Sequence, residues 1–248
     1  MLKNSPINYW HDESFHNEKA ALEILPYVFN LFPINSIIDI GCGTGSWLSA
    51  AKKLNINEVK GVDGIELKQP LMKLESNEFL KHDLRIPLNL NKKFDLCICL
   101  EVVEHLPIDC ADTIIETITN HSDFILFSAA IPTQTGDHHI NEQWPSYWQE
   151  KFKSRGYFPL DILRSKFWNN EQVDWWYRQN VLLYTNDEDL INKFSSPETV
   201  LPLVHPELLK LKNQVIIYQD NILQDQVYNP RLLSALKKVY QSLFNFKK

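Results

Sequence analysis

The stretch IIDIGCGTGSWL, residues 37–48, decides the fold, because a β-branched apolar run ends in three of the chain's seven glycines within five positions. Isoleucines closed off by glycine read as a buried strand, and GSWLSAAKKL (45–54) reads as a helix that starts inside the turn. Strand, bare turn, helix is the order by which α/β folds offer backbone to a ligand at a strand's carboxyl end.

The same alternation continues on both sides. EKAALEILPYVFNL (18–31) has helical spacing with Pro26 expected to break or kink it, and EVKGVD (58–63), EFLKHD (78–83), KFDLCICL (93–100) and DFILFSAAI (123–131) read as strands. Continuous apolar runs such as DLCICL suit strands covered on both faces. In DCADTIIETITN, Asp109 is the expected N-cap and Ile114, Ile115 and Ile118 form one stripe. The expected fold is α/β, a doubly wound, mostly parallel seven-stranded sheet, with YFPLDILRS (157–165) and NVLLYT (180–185) as its last two strands. Residues 1–186 are expected to make one domain, with 131–180 as substrate-binding insertions, and 187–248 a helical extension whose apolar stripes suit a homo-oligomer.

Composition narrows the function. The chain has 248 residues, 44% hydrophobic and 23% charged, which is ordinary for a globular protein. A net charge of −6 disfavours a broad nucleic-acid surface and favours a small-molecule substrate. The start shows no apolar leader and no run reaches the length of a spanning helix, so a cytoplasmic, soluble protein is expected. The four cysteines show neither CxxC nor zinc spacing.

The glycine order also excludes one ligand. A dinucleotide fingerprint reads G-x-G-x-x-G/A, whereas here the third glycine, Gly45, comes one position early and Ser46 and Trp47 follow, so a nicotinamide dehydrogenase is poorly supported. Asp39, Gly41, Gly43 and Gly45 instead give D-x-G-x-G-x-G, and here the sequence resembles class I S-adenosylmethionine-dependent methyltransferases. The resemblance implies that Cys42 and the three glycines line the donor's amino-acid and ribose parts and that Asp63 and Gly64 meet the ribose. It further implies that Asp83 and Leu84 meet the adenine, and that Leu100 and Glu101 pass beneath the sulfonium. Asp83 is equally readable as a loop or capping residue.

The remainder must choose the acceptor. GDHHINEQWPSYW and KFWNNEQVDWWYRQN hold five of the seven tryptophans among amides, acids and Arg178. Aromatic faces with flanking amides suit a polyhydroxylated ligand, which makes Asn141, Glu142, Trp144, Trp175, Trp176 and Arg178 candidate substrate contacts; Trp148 reads better as core. The runs HxNEQWPxYW, WWYxQN and HPEL are similar to bacterial capsule and lipopolysaccharide sugar methyltransferases, heptose O-methyltransferases among them. That similarity implies transfer to a sugar hydroxyl in surface polysaccharide synthesis. A quinone-like or phosphoramidate acceptor, and a non-catalytic S-adenosylmethionine-binding protein, remain as rival readings.

An alcohol needs a proton acceptor as it attacks, and histidine is suited to that role near neutral pH. His139 opens the HxNEQWP run and is the preferred base, with His138 and His105 behind it. Glu101 and His105 are spaced to share a metal or to pair with each other. Since no third ligand is legible, no metal is expected and activity should survive chelation.

Overall fold

A computed structural model describes residues 17–68, 70–228 and 230–244. Seven strands form one sheet in the order β3-β2-β1-β4-β5-β7-β6: β1 Ser36–Ile40, β2 Glu58–Asp63, β3 Phe79–Lys81, β4 Leu96–Leu100, β5 Phe124–Ser128, β6 Phe158–Leu160 and β7 Leu182–Thr185. The first five pair in parallel, whereas β7 runs antiparallel to both β5 and β6. Every residue of β1 and β4 is buried, Ser36 and Asp39 of β1 included, as expected of central strands covered on both faces.

Helices α1 Lys19–Phe29 and α2 Ser46–Lys53 pack on one face and α3 Ala111–His121 and α4 Pro145–Lys153 on the other. The order of strands reverses at β1, so the carboxyl ends of β1 and β4 open a crevice between the two directions of winding. Beyond β5 the chain adds α5 Leu163–Phe167, α6 Trp175–Asn180 and α7 Glu188–Phe194. Trp148 and Phe152 of α4 enter the core against Phe127 and Tyr184, whereas Trp144 stands at the helix start and is 41% exposed.

Three expectations are corrected. Helix α1 runs on through Pro26, which neither breaks the helix nor ends it before Phe29. A 3₁₀ turn at Ile108–Cys110 precedes α3, so Cys110 and not Asp109 occupies the N-cap. YFPLDILRS is a strand for only three residues, after which Leu163 and Phe167 turn inward at helical spacing as α5.

The chain divides into two compact units, residues 1–205 and 206–248. The boundary falls later than residue 186 because the first unit keeps its hold on the chain: His205 N–H donates to Gln179 Oε1 and its Nε2 lies 3.0 Å from the Trp168 carbonyl. The second unit consists of α8 Pro206–Tyr228 and α9 Pro230–Phe244, with Leu233, Leu236, Val239 and Tyr240 all exposed on α9. No helix among the described residues is long and apolar enough to cross a membrane.

Candidate active site

The glycine turn leaves β1 in left-handed backbone at Gly41, Gly43 and Gly45, with φ of +87°, +53° and +76°. Two of these positions are bare because protein fills the space. A Cβ on Gly41 would stand 2.4 Å from Val102 Cγ2, and one on Gly45 would stand 2.5 Å from Leu74 Cγ. Gly43 N–H donates to Asp63 Oδ2 at 2.9 Å and Ile65 N–H donates to Oδ1 at 2.9 Å. The Asp63 carboxylate is therefore fixed by two backbone donors at the end of β2, one on each oxygen. Gly64 follows it directly in a bend. Asp39 lies buried under the turn, where desolvation and the charge of Asp63 push its carboxyl well above the usual range; Cys42 is buried beside Gly61.

Asp83 is engaged by its own loop. Arg85 donates from Nη2 to Oδ2 at 2.7 Å and from its backbone N–H to Oδ1 at 3.0 Å, and this pairing holds the Asp83 carboxyl below its ordinary value. The sequence reading did not anticipate Arg85. Leu84 and Leu100 are both buried.

Glu101 ends β4 in left-handed backbone, φ +52°, a costly conformation for a non-glycine residue. Its carboxylate accepts from Gln134 Nε2 (2.9 Å) and Asn180 Nδ2 (3.1 Å), while Gln134 Oε1 accepts from Gln179 and Asn180. Burial raises the Glu101 carboxyl pKa, opposed by these amides. Gln134, Gln179 and Asn180 were missed as individual residues, although QN closes the WWYxQN run.

The loop after β5 folds back onto the turn after β4. Ile140 and Asn141 both donate backbone N–H to the Glu104 carbonyl, at 2.9 and 3.0 Å, and Asn141 Nδ2 reaches the Val103 carbonyl. This brings His139 edge-on to His105, with ring centres 4.9 Å apart. His139 Nδ1 lies 2.8 Å from Glu142 Oε1, which also accepts from Thr135 N–H, and the other edge of the ring packs over Gly136, where a Cβ would stand 2.2 Å from Nε2. Burial, with His139 beside it, pushes the His105 pKa down to about 4, so the ring is neutral at neutral pH. Glu104 is fully buried, and burial together with the Glu101 charge raises its carboxyl well above the ordinary value. Thr135, Gly136, His139, Ile140 and Glu142 line a recess of about 320 Å³.

Several site assignments need correction. His138 points away, its side chain 59% exposed and 3.7 Å from Asp137. Asn141 is buried and ties backbone, so it is a loop-forming residue. Arg178 is buried with Nη1 on the Trp168 carbonyl, whereas Trp175 and Trp176 remain half-exposed in edge contact at 5.6 Å. Glu101 spends its oxygens on amides, and the carboxylate that joins His105 is that of Glu104. Glu104, His105 and His139 each bring one donor atom, all within 4.8 Å of one another, so the third donor that spacing failed to show comes from the folded-back loop.

A doubly wound sheet with a reversed strand β7, a glycine turn after β1 and an acid fixed at the end of β2 defines a Rossmann-like fold with a crevice at the β1–β4 switch point. A family model described as a methyltransferase domain matches residues 9–179, and the chain belongs to that family; it is a methyltransferase. No curated protein matches at a significant level. Among solved structures, the chain is similar to the methyltransferase domain of bacterial CtHen1-C at 17% identity, covering 67% of this chain and 97% of that one with a TM-score of 0.47. A SAM-dependent methyltransferase from Archaeoglobus fulgidus matches at 19% identity over 58% of this chain and 72% of that one, TM-score 0.45. The glycopeptide N-methyltransferase MtfA complexed with S-adenosyl-L-methionine matches at 12% identity over 48% and 57%, TM-score 0.37.

Proposed function

We propose that the chain transfers a methyl group from S-adenosylmethionine to a hydroxyl of a sugar, such as a nucleotide-linked heptose or a growing glycan, in cytoplasmic steps of surface polysaccharide synthesis. The donor's fit is supported by the left-handed glycine turn and by Asp63, whose two oxygens are already oriented by Gly43 and Ile65 N–H groups and can accept from both ribose hydroxyls. Bound there, the donor supplies an electrophilic methyl group.

What supports a polar acceptor most is the recess beside the His105–His139 pair. Its walls include an imidazole held by Glu142 and Thr135, whose hydroxyl donates to the Gln134 carbonyl, and Trp144 stands exposed two residues beyond Glu142. Such a wall matches hydroxyls with donors and acceptors and a sugar's C–H face with an indole. Glu142 holds the His139 ring, so the side chain is set to act on a hydroxyl proton without reorganising. The exposed apolar stripe of α9 is assigned to self-association as part of the same reading.

The test is a panel of nucleotide-linked heptoses and hexoses incubated with isotopically labelled donor and read by mass. A gain of one methyl on at least one sugar, retained after the labile phosphate link is hydrolysed, is expected. Methylation confined to quinone or amine acceptors would overturn the sugar assignment.

A further inference from the structure

We propose that Glu104, His105 and His139 bind one divalent first-row transition cation at the acceptor edge of the sheet. The ion's role rests on the O-methyltransferase reading: it would hold and acidify an acceptor oxygen in place of direct proton removal by His139, whose remaining nitrogen is then a ligand, whereas its binding does not rest on that reading.

The donors come from two segments 34 residues apart in sequence and are pinned to each other at a single point, since Ile140 and Asn141 N–H groups both bond the Glu104 carbonyl. Their ligand atoms lie within 4.8 Å of one another. Two donors on one ion at ordinary bond lengths stand about 3–4.2 Å apart, so side chains already this near need only small shifts to share it.

A second, independent observation is the Glu104 side chain. It is wholly buried, its Oε1 accepts from Ala130 N–H at 3.2 Å, and its Oε2 meets no donor group among the described residues, its neighbour being the Glu101 carboxyl. Two buried carboxyls side by side with no cationic partner are costly to ionise, and a bound cation relieves that cost where otherwise a retained proton must.

The two rings show how ligating histidines are held. His105 donates to the His138 carbonyl and His139 is engaged by the Glu142 carboxylate, so each imidazole has one nitrogen fixed by a protein oxygen. Two imidazoles with one carboxylate favour the Mn²⁺-to-Zn²⁺ series over Mg²⁺ or Ca²⁺, which prefer all-oxygen sets. Three protein ligands leave coordination positions open, and His139 also lines the recess where an acceptor oxygen can reach them.

Titration of the full chain with MnCl₂, followed by the loss of the free-ion electron paramagnetic resonance signal, tests this. One bound Mn²⁺ per chain is expected, displaced by ZnCl₂ and resistant to equimolar MgCl₂. Glu104→Gln and His139→Ala should each abolish it, Glu142→Gln should weaken it by ~10- to 100-fold as loss of an orienting partner does, and His138→Ala should leave it unchanged. Calorimetry with S-adenosylhomocysteine on the same samples confirms that each variant is folded. Absence of Mn²⁺ binding by a wild-type protein that binds S-adenosylhomocysteine overturns the cation site and spares the methyltransferase reading. Binding that survives in both Glu104→Gln and His139→Ala overturns the ligand assignment.

Discussion

Substituting Gly41 by alanine separates the cost of a left-handed backbone from the cost of a filled space. Gly41 and Gly156 have nearly equal φ, +87° and +80°, but a Cβ on Gly156 would meet nothing within 4 Å, whereas one on Gly41 would meet Val102 Cγ2 at 2.4 Å and Cγ1 at 2.6 Å. An L-residue in this region costs about 1–2 kcal/mol, partly offset by about 0.4–1 kcal/mol from the stiffer unfolded chain. Gly156→Ala should therefore lose roughly 0.5–1.5 kcal/mol. Gly41→Ala adds overpacking of about 1–3 kcal/mol, for a total of roughly 2–4 kcal/mol. Urea unfolding of the cofactor-free protein measures both. Val102→Ala in the Gly41→Ala background should recover part of the loss, a coupling that a double-mutant cycle isolates. Equal losses at the two glycines, or strictly additive effects of Gly41→Ala and Val102→Ala, would refute the argument that Val102 is the reason for glycine at 41.

Three further outcomes follow from the site. Glu104 titrates higher in the folded chain than its ordinary 4.5, so the native state binds the extra proton and stability falls as pH rises from 4.5 through the folded value. In metal-free protein, Glu104→Gln should therefore melt above wild type at pH 8, with the gap closing toward pH 4.5; a variant less stable than wild type at pH 8 contradicts this. His139→Ala should cut methyl transfer by ~10²- to 10⁴-fold with donor affinity nearly unchanged, and His138→Ala should do much less; full turnover in His139→Ala would remove that ring from the reaction. Sedimentation velocity should show an oligomer that Leu236→Lys with Val239→Lys converts to monomer, and a monomeric wild type would end the self-association reading.

The sheet was legible because central parallel strands carry no alternation to misread. LCICL is apolar at every position and SIIDI at all but Ser36 and Asp39, and both are buried throughout. Segments whose apolar residues serve two periods were not: in YFPLDILRS, Phe158 to Leu160 extend while Leu163 and Phe167 fold under as a helix, and β propensity cannot tell the two apart. The glycine turn and Asp63, proposed to hold the donor, were legible from spacing because they lie along one strand–turn–helix unit and the end of the next strand. The acceptor side was not, since Glu104 and His139 meet only through backbone bonds from Ile140 and Asn141 to a single carbonyl, and backbone pairing leaves no side-chain pattern to read. The same limit explains Arg178 and Asn141: their polarity suggested a ligand, and the fold uses it on Trp168 and Val103 carbonyls.

The most direct test of the account is calorimetry of the full chain with S-adenosylhomocysteine and with NAD, repeated on Asp63→Ala. The account predicts that S-adenosylhomocysteine binds at one site, that NAD does not compete, and that Asp63→Ala weakens binding by about 1–3 kcal/mol through lost charge-assisted hydrogen bonds. Binding of NAD in preference, or S-adenosylhomocysteine affinity unaffected by Asp63→Ala, would contradict it.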